Sequence, residues 1–213
     1  GYAYTDAEDV SPMNSSVAAS NFNNVSLNDI VEPKAATSDY VIPHRFTFRA
    51  NFRKQIFGDN ETRFSLYSFY QQGQPQSYVM TSDVLEGDQR FGRHLLYVPT
   101  GIDDPNVVIA DSFDYDAFAA FARKEGLGTG FQKRNENFSD WSYRVDLRVD
   151  QEFPIYNDIK GVGYIKVYNV LNMLDDDWGV QNRAQPFAQQ VVDMSLDDQG
   201  RYVFERFSRR DIN

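Results

Sequence analysis

The chain contains two histidines and no cysteine, so few residues could perform nucleophilic or metal chemistry. His94 lies between Arg93 and Leu95 in a polar stretch, with no serine elbow or partner histidine to complete a catalytic set. His44 follows Pro43 near the end of a predicted strand, where we interpret it as a rim residue. We expect His94 to be a solvated loop residue, and we predict that the chain is not an enzyme and binds no cofactor.

Two other motifs could bind charged ligands. Asp175-Asp176-Asp177 offers the oxygen ligands that calcium prefers, but it lacks the spacing and the glycine of a calcium loop. We therefore interpret it as the solvated end of a strand. The run Gly126-Leu127-Gly128-Thr129-Gly130 follows a predicted helix, whereas a dinucleotide-binding loop follows a strand and precedes a helix. We interpret this run as a flexible loop.

The most regular charges lie in two segments, residues 45–53 and 141–150. Arginines recur every four residues in the first segment, roughly 13 Å apart along an extended strand. In the second, basic and acidic residues alternate on one face of the strand. Such a face is either the solvated side of a soluble sheet or the lumen of a β-barrel, and the pattern favours the lumen. The predicted lumen-facing residues are Arg45, Arg49, Arg53, Arg144, Asp146, Arg148 and Asp150.

The opposite faces of the same two segments are aromatic and aliphatic. Successive side chains of a strand point to opposite sides, so each segment has one apolar and one polar face. Ten alternating residues match the roughly 9–11 that a tilted strand needs to cross a bilayer. The predicted lipid-facing residues are Phe46, Phe48, Phe52, Trp141, Tyr143, Val145, Leu147 and Val149.

Alternating patterns and turn signals predict five strands in all. They cover residues 2–5, 42–56, 62–70, 141–153 and 161–171. Short connections at 57–61 and 154–160 alternate with long ones at 8–40, 72–139 and 172–213, which are rich in Asn, Asp, Gly, Ser and Pro. Long loops are uncommon in compact soluble domains, whereas outer-membrane barrels combine short periplasmic turns with long extracellular loops. The fold class predicted is all-β, an antiparallel transmembrane β-barrel fragment with long extracellular loops.

Local order is also predicted inside the long connections. The pattern predicts a short helix over residues 114–124, with Asp114 as its N-cap and Gly126 ending it. Residues 191–194 and 202–207 flank an Asp-Asp-Gln-Gly turn and indicate a hairpin.

Composition excludes several classes of protein. With 21 basic and 31 acidic residues, the formal charge of −10 excludes nucleic acid as an expected partner, because phosphate binding needs a basic face. The chain has 17 Phe and 13 Tyr despite a mean hydropathy of −0.56, so its hydrophobicity is concentrated at particular positions. No apolar run approaches the ~18 residues of a membrane helix, and no signal peptide is recognisable. Strand-like residues follow Gly1 at once, so we expect the sequence to begin inside a domain.

Several short motifs occur in a fixed order along the chain. They are Tyr4-Thr5-Asp6-Ala7, Ile42-Pro43-His44-Arg45-Phe46, Gly73-Gln74-Pro75, Leu96-Tyr97-Val98-Pro99-Thr100, Arg134-Asn135, Ser139-x-Trp141 and Asn169-Val170-Leu171-Asn172. Together they resemble the C-terminal part of the barrel of a TonB-dependent outer-membrane receptor of the Oar-like group. The resemblance covers nearly the whole chain, and the order and spacing of the motifs make it specific.

The resemblance implies a location in the bacterial outer membrane and energy-coupled uptake of a scarce ligand. The implied partners are outer-membrane lipid, an unknown ligand at the extracellular loops, and the TonB complex, which acts through an N-terminal plug. The sequence contains no plug, no TonB box and no closing aromatic strand. Residues 1–213 are therefore expected to be part of such a barrel, with about five membrane strands.

Two other functions are compatible with the pattern. A passive porin would have the same wall without a plug. A soluble, surface-displayed β-sandwich that binds glycans or protein would bury the apolar faces between two sheets, and would stay in buffer without detergent.

Overall fold

The computed structural model describes residues 1–11, 13, 15–23, 25–29, 31–81, 94–180 and 188–208. The chain is mostly β-structure and divides into two compact units. The sheet unit comprises the described residues within Gly1–Thr5, Ile42–Gly73 and Asp140–Arg183. The core unit comprises those within Asp6–Val41, Gln74–Ser139 and Ala184–Asn213.

The strands are numbered in chain order. They are β1 Tyr2–Tyr4, β2 Glu8–Asp9, β3 Ala36–Thr37, β4 His44–Phe57, β5 Asn60–Gln71, β6 Pro75–Gln76, β7 Tyr78–Thr81, β8 His94–Leu95, β9 Tyr97–Val98, β10 Val107–Ile109, β11 Gly130–Phe131, β12 Asn137–Phe138, β13 Ser142–Tyr156, β14 Ile159–Val167, β15 Gln189–Leu196 and β16 Tyr202–Phe207. The helices are α1 Ala18–Asn23, α2 Tyr115–Lys124 and a 3₁₀ helix at Val170–Met173. No helix in the described part of the chain is long and apolar enough to span a membrane.

The sheet unit is built on one antiparallel sheet with the strand order β1-β4-β5-β13-β14. Two tight hairpins join β4 to β5 and β13 to β14, and Gly58 and Asn157 in their turns have positive φ angles of 58° and 48°. Positive φ is what two-residue hairpin turns need, and glycine and asparagine adopt it most readily. The five predicted strands and both short connections are confirmed.

The fifth strand is shorter than predicted. We expected it to reach residue 171, but β14 ends at Val167 and the chain enters the 3₁₀ helix. Asn169, the residue before that helix, has a left-handed backbone with φ of 53°. That conformation cannot continue a strand, so an apolar run that resembles a strand in sequence turns away from the sheet.

The sheet is open among the residues that the structure describes, and no closed barrel is formed by them. β14 forms one edge. At the other edge the short β1 covers β4 only from His44 to Phe46, with Gly1 also bonded to Thr47, so the rest of β4 has no further neighbour in the described chain.

The core unit contains a second, mixed sheet with the order β10-β16-β15-β7-β8. β10 runs parallel to β16 and β7 parallel to β15, whereas the other pairs are antiparallel. Phe118 and Ala122 of α2 pack with Phe204 of β16 in one hydrophobic core. Three two-stranded ladders complete the unit: β2 with β3, β6 with β12, and β9 with β11.

The predicted helix and hairpin of the core unit are confirmed. Asp114 is the N-cap of α2, because its side chain accepts a hydrogen bond from the Ala117 amide at 2.9 Å. Gly126 follows the helix with φ of 68°, and β15 and β16 form the predicted hairpin. The interpretation of 8–40 and 72–139 as long loops is corrected, since short strands in both contribute to a packed domain. These strands are mostly two to four residues long, too short for an alternating pattern to be recognised.

Candidate functional site

The five-stranded sheet has one apolar face that is open to its surroundings. Cross-strand register places four rows on this face, because directly opposed residues share a side of the sheet. The rows are Phe46-Tyr70-Tyr143, Phe48-Ser68-Val145, Ala50-Leu66-Leu147-Val167 and Phe52-Phe64-Val149-Ile165. Phe48 and Phe52 are 59% and 60% exposed, and Phe46 and Trp141 are also exposed. The other predicted lipid-facing residues, Tyr143, Val145, Leu147 and Val149, are half-buried among their row neighbours. Among its described residues the sheet unit contains no second sheet.

One end of the apolar face carries a cluster of aromatic rings. Trp141 stacks on Tyr70 with ring centroids 4.6 Å apart, and on His44 at 6.2 Å with nearly parallel planes. The Nδ1 atom of His44 lies 2.9 Å from the hydroxyl of Tyr2. His44 is thus the first residue of β4 at the end of the sheet, as the sequence predicted, and its ring is engaged with its neighbours.

The opposite face carries all seven residues predicted to line a lumen. Two ion pairs run along β13: Arg144 contacts Asp146 at 3.1 Å, and Nε of Arg148 donates to Asp150 at 2.9 Å. Both aspartates are buried, with 5% and 9% of their surface exposed. A charge buried in a protein must be paired, and each of these carboxylates has its guanidinium two residues away on the same strand.

Aromatic side chains are inserted between the arginines on this polar face. Phe69 lies between the guanidinium groups of Arg45 and Arg144, each 5.4 Å from the ring centroid. Arg148 lies 4.2 Å from the ring centroid of Tyr164. A guanidinium over an aromatic face is attracted by the ring quadrupole. These contacts explain why Phe69 interrupts the apolar and polar alternation of β5.

The carboxylate of Asp146 has a second role that sequence reasoning missed. One oxygen accepts from Arg144, and the other accepts from the backbone amide of Asn169 at 3.0 Å. The side chain of Asn169 then donates to the carbonyl of Gly179 at 3.2 Å. A Cβ at Gly179 would lie 2.2 Å from Oδ1 of Asn169, so the side chain of Asn169 would have to move to admit one. Asp146 therefore fixes the chain at the point where β14 gives way to the 3₁₀ helix.

Burial in the sheet unit is inverted relative to an ordinary soluble domain. Apart from two glycines, its buried described residues are Thr62, Asp146 and Asp150, all of them polar. All 17 buried hydrophobic residues of the described chain lie in the core unit. The sheet unit thus places paired charges inside and aromatic side chains outside.

The core unit contains a cleft of about 650 Å³. Its lining includes Glu8, Glu32, Lys34, Phe131 and Glu136. Both signs of charge line it together with an aromatic ring, so the cleft has space for a small ligand but no single charge preference.

The wall of this cleft is held by the Arg134-Asn135 pair. Arg134 is buried, and its Nη2 donates to Asp9 at 2.8 Å and to the carbonyl of Ala36 at 3.3 Å. Asn135 has φ of 58°; its amide bonds Ser77 at 2.8 Å, and its side chain bonds the carbonyl of Thr37 at 2.7 Å. These contacts connect the β2–β3 ladder to the rest of the unit, so this motif has a structural role.

Asp104 organises the loop between β9 and β10. It accepts from the Thr100 amide at 2.8 Å, the Asn106 amide at 2.9 Å and the Tyr97 hydroxyl at 3.2 Å. Burial raises the pKa of this carboxyl, but the hydrogen bonds outweigh burial and the net pKa lies below its ordinary value. Asp104 is therefore a structural carboxylate that is ionised at neutral pH.

The expectation for His94 was wrong. His94 is half-buried in β8 and packs edge-on against Phe131 of β11 at 5.7 Å, so it is not a solvated loop residue. The glycine run is a loop, as predicted, up to Gly130, which begins β11. In it the Leu127 amide bonds the carbonyl of Ala122 at 2.8 Å, and Gln132 donates to the carbonyls of Gly128 and Gly130.

The three aspartates at 175–177 are exposed just after the 3₁₀ helix. Asp175 accepts from the Asp177 amide at 3.0 Å, a local turn contact. Within the residues that the structure describes, no group of three or more histidine or acidic side chains could hold a metal ion.

Comparison with known proteins gives no family for this chain. No family model, no curated protein and no solved structure matches it.

Proposed function

We propose that the five-stranded sheet is part of the wall of an antiparallel β-barrel in a bacterial outer membrane. In this proposal the apolar face contacts lipid and the arginine-bearing face lines an aqueous interior. The observation that carries it is the inverted burial of the sheet unit, with exposed aromatic side chains on one side and buried, paired aspartates on the other. A soluble protein rarely leaves a large contiguous apolar surface uncovered.

The lengths of the strands support the same assignment. β4, β5, β13 and β14 have 14, 12, 15 and 9 residues, and a tilted strand needs ~9–11 to cross a bilayer. The strands are joined by tight turns at one end, as in barrels whose periplasmic turns are short.

The aromatic cluster around Trp141 supports this position in the bilayer. Aromatic residues with a polar atom are enriched at membrane interfaces, where one end of the ring is apolar and the other wet. Trp141, Tyr70 and Tyr2 lie together at one end of the apolar face, where β1 and β4 meet. The central rows between this end and the hairpins are then the part that contacts acyl chains.

We further propose that the barrel belongs to a TonB-dependent receptor that takes up a scarce ligand. The support is the order of the sequence motifs together with the division into two units. The sheet unit would supply wall, and the core unit, with its cleft, would supply an extracellular ligand-binding part. TonB would act through an N-terminal plug, and this chain would perform no bond chemistry.

The decisive experiment places arginine on each face of the sheet in the full-length protein. Leu147→Arg lies in the middle row of the apolar face and is expected to cost about 2–4 kcal/mol of folding free energy in lipid. Ser65→Arg is the control on the polar face; it places an arginine directly opposite Arg148, so its baseline includes a like-charge cost of up to about 1 kcal/mol. Asp146 would be a poor control, since its buried carboxylate bonds the Asn169 amide.

The measurement is the folded fraction in lipid vesicles across a urea series, read from the heat-modifiable mobility of the barrel on a gel. We expect Leu147→Arg to lower the midpoint far more than Ser65→Arg. Equal tolerance at both positions would contradict a lipid-facing apolar side. A wild-type protein that stays in buffer without detergent would favour the soluble sandwich instead.

A further inference from the structure

Basic side chains dominate the polar face of the sheet. Over the five cross-strand rows from Arg45 to Arg53, this face carries seven basic residues and two acidic ones. The basic residues are Arg45, Arg49, Arg53, Arg63, Arg144, Arg148 and Lys166. The acidic residues are Asp146 and Asp150. The described residues of the sheet unit include nine basic and ten acidic side chains, so the basic excess on this face is a local arrangement.

Both carboxylates on this face are already engaged. The two oxygens of Asp146 accept from Arg144 and from the Asn169 amide. Both oxygens of Asp150 accept from Arg148. Each of the four carboxylate oxygens therefore already accepts a hydrogen bond, and none of these bonds comes from an arginine of β4.

Arg49 and Arg53 of β4 therefore lack a counter-charge. Both are exposed, and neither makes an ion pair, a hydrogen bond or a ring contact with any residue that the structure describes. Arg53 lies directly opposite Arg63 on β5. Arg63 already forms an ion pair with Glu61 at 2.9 Å, so Arg53 is the member of this pair without a counter-charge. Like charges at directly opposed positions of a sheet destabilise it, and an anion beside Arg53 would offset the remaining repulsion.

A second observation shows that guanidinium donors exceed acceptors over the whole face. Arg45, Arg63 and Arg144 each have a buried Nε–H with no hydrogen-bond partner in the described chain. The other contacts of these side chains are with Phe69, Glu61 and Asp146. Guanidinium groups bind carboxylate and phosphate groups with two parallel hydrogen bonds, so the exposed guanidinium groups of Arg49 and Arg53 favour anions with paired oxygens.

We propose that Arg49, Arg53 and Arg63 form a binding track for a ligand that bears two or more carboxylate or phosphate groups. One anionic group would lie between Arg53 and Arg63, and a second would reach Arg49, one 13 Å step, roughly four residues, along β4. The inference rests on the proposed function in one respect, because a lumen position would make the track part of the uptake route. It names the class of cargo, a polyvalent anion.

The test measures anion binding to the full-length protein in a non-ionic detergent at low ionic strength, because salt screens exposed charges. Citrate and pyrophosphate are the probes for carboxylate and phosphate, and acetate at matched ionic strength controls for valence. Binding is read by calorimetry and by the rise in unfolding temperature that a ligand of the folded state produces. We expect citrate or pyrophosphate, but not acetate, to bind with a submillimolar dissociation constant.

The variants distinguish anion binding by the track from a general effect of positive charge on the sheet. Arg53→Gln should weaken binding at least tenfold and should raise the unfolding temperature without anion, because it removes the repulsion with Arg63. Lys54→Gln removes the same charge from the adjacent residue on the opposite face and should change affinity less than twofold. If Arg53→Gln folds poorly, Arg53→Lys keeps the charge without the paired donors and should still weaken binding severalfold.

Two results would overturn the inference: no response of the wild type to either polyvalent anion, or equal losses in Arg53→Gln and Lys54→Gln. These results are independent of the lipid test. If the protein inserts into membranes but binds neither probe, the barrel proposal stands and the binding track is contradicted. If the protein stays soluble in buffer yet binds citrate through Arg53, the binding track stands and the barrel proposal is contradicted.

Discussion

In the core unit the largest fully buried side chains are Phe118, Phe204 and Met80, whereas in the sheet unit the buried side chains are Thr62, Asp146 and Asp150. The charges differ in the same way. Among the described residues, the sheet unit has nine basic and ten acidic side chains, whereas the core unit has seven basic and 17 acidic ones. The core unit is therefore acidic and built around a hydrophobic core, and the sheet unit is close to neutral and buries paired charges.

The largest expected effect comes from the hydrophobic core. Phe118→Ala should destabilise the core unit by about 3–5 kcal/mol, because Phe118 is 1% exposed and packs on Phe113 and Phe204. Urea unfolding of the full-length protein, followed by a probe in the core unit, measures the loss. Phe48→Ala is the matched change on the sheet.

Measuring Phe48→Ala in lipid vesicles tests the contrast between the two units more directly. A lipid-facing Phe48 should lose about 1.5–3 kcal/mol of transfer free energy when it becomes alanine. A Phe48 that stays in water should change stability by no more than about 0.5 kcal/mol. A neutral Phe48→Ala in vesicles would therefore break the proposed contrast between the two units.

The next effect concerns the buried carboxylate of the sheet unit. Asp146→Ala should cost about 2 kcal/mol, because it leaves the Asn169 amide and the Arg144 guanidinium without an acceptor. Asp146→Asn keeps an oxygen for the Asn169 amide and should retain about half of that stability. Hydrogen exchange at the Asn169 amide reads the bond directly. Unchanged exchange in Asp146→Ala would show that the bond does not hold this turn.

An effect of similar size is expected at Gly179. Gly179→Ala should cost about 2 kcal/mol, since a left-handed backbone strains alanine by about 1–2 kcal/mol and the new Cβ would also meet Asn169. Gly200→Ala in the core unit has a similar φ of 77° but open space around the Cβ, so it should show the backbone cost alone. Thermal unfolding of both variants measures the difference, and equal costs would mean that Asn169 moves aside freely.

The smallest effect is a pH dependence in the core unit. The pKa of Asp104 is depressed in the folded state from its ordinary value of 3.8, so its contribution is fully present above that value and is lost as pH falls through the folded pKa. Stability should therefore decline below about pH 4, and Asp104→Asn should flatten that decline while lowering stability at pH 7 by about 1 kcal/mol. Unfolding curves from pH 2 to 7 measure both. An unchanged slope in Asp104→Asn would contradict the assignment.

The sequence predicted the sheet unit much better than the core unit, for a physical reason. Strands of 9 to 15 residues are long enough for the alternation of apolar and polar side chains to be recognised in the sequence. The alternation over Arg45 to Phe57 or Trp141 to Val149 is visible without knowledge of the neighbouring strands. Helix α2 was predictable because Asp114 and Gly126 mark its ends locally. Apart from the predicted β15–β16 hairpin, the strands of the core unit have two to four residues and pair with distant segments, as β7 does with β15, so no local pattern identified them.

The polar face was predicted as a set of residues but not as a network. Alternation placed Asp146 and Asp150 on one side with the arginines, yet it gave no sign that Asp146 binds an amide 23 residues away. The shortage of acceptors for Arg49 and Arg53 also emerges only from the register of β4, β5 and β13. The sequence of one strand shows which residues share a face. The balance of hydrogen-bond donors and acceptors on that face depends on which strands are neighbours.

The two edges of the five-stranded sheet that have no partner among the described residues have a further consequence. Hydrocarbon contains no water to satisfy the outward amides of β14 or of the uncovered part of β4. Within a bilayer, flanking strands must complete the ladder on both sides. Without such flanks, an isolated sheet unit in buffer would be prone to self-association by edge pairing, and its sedimentation coefficient would increase with protein concentration.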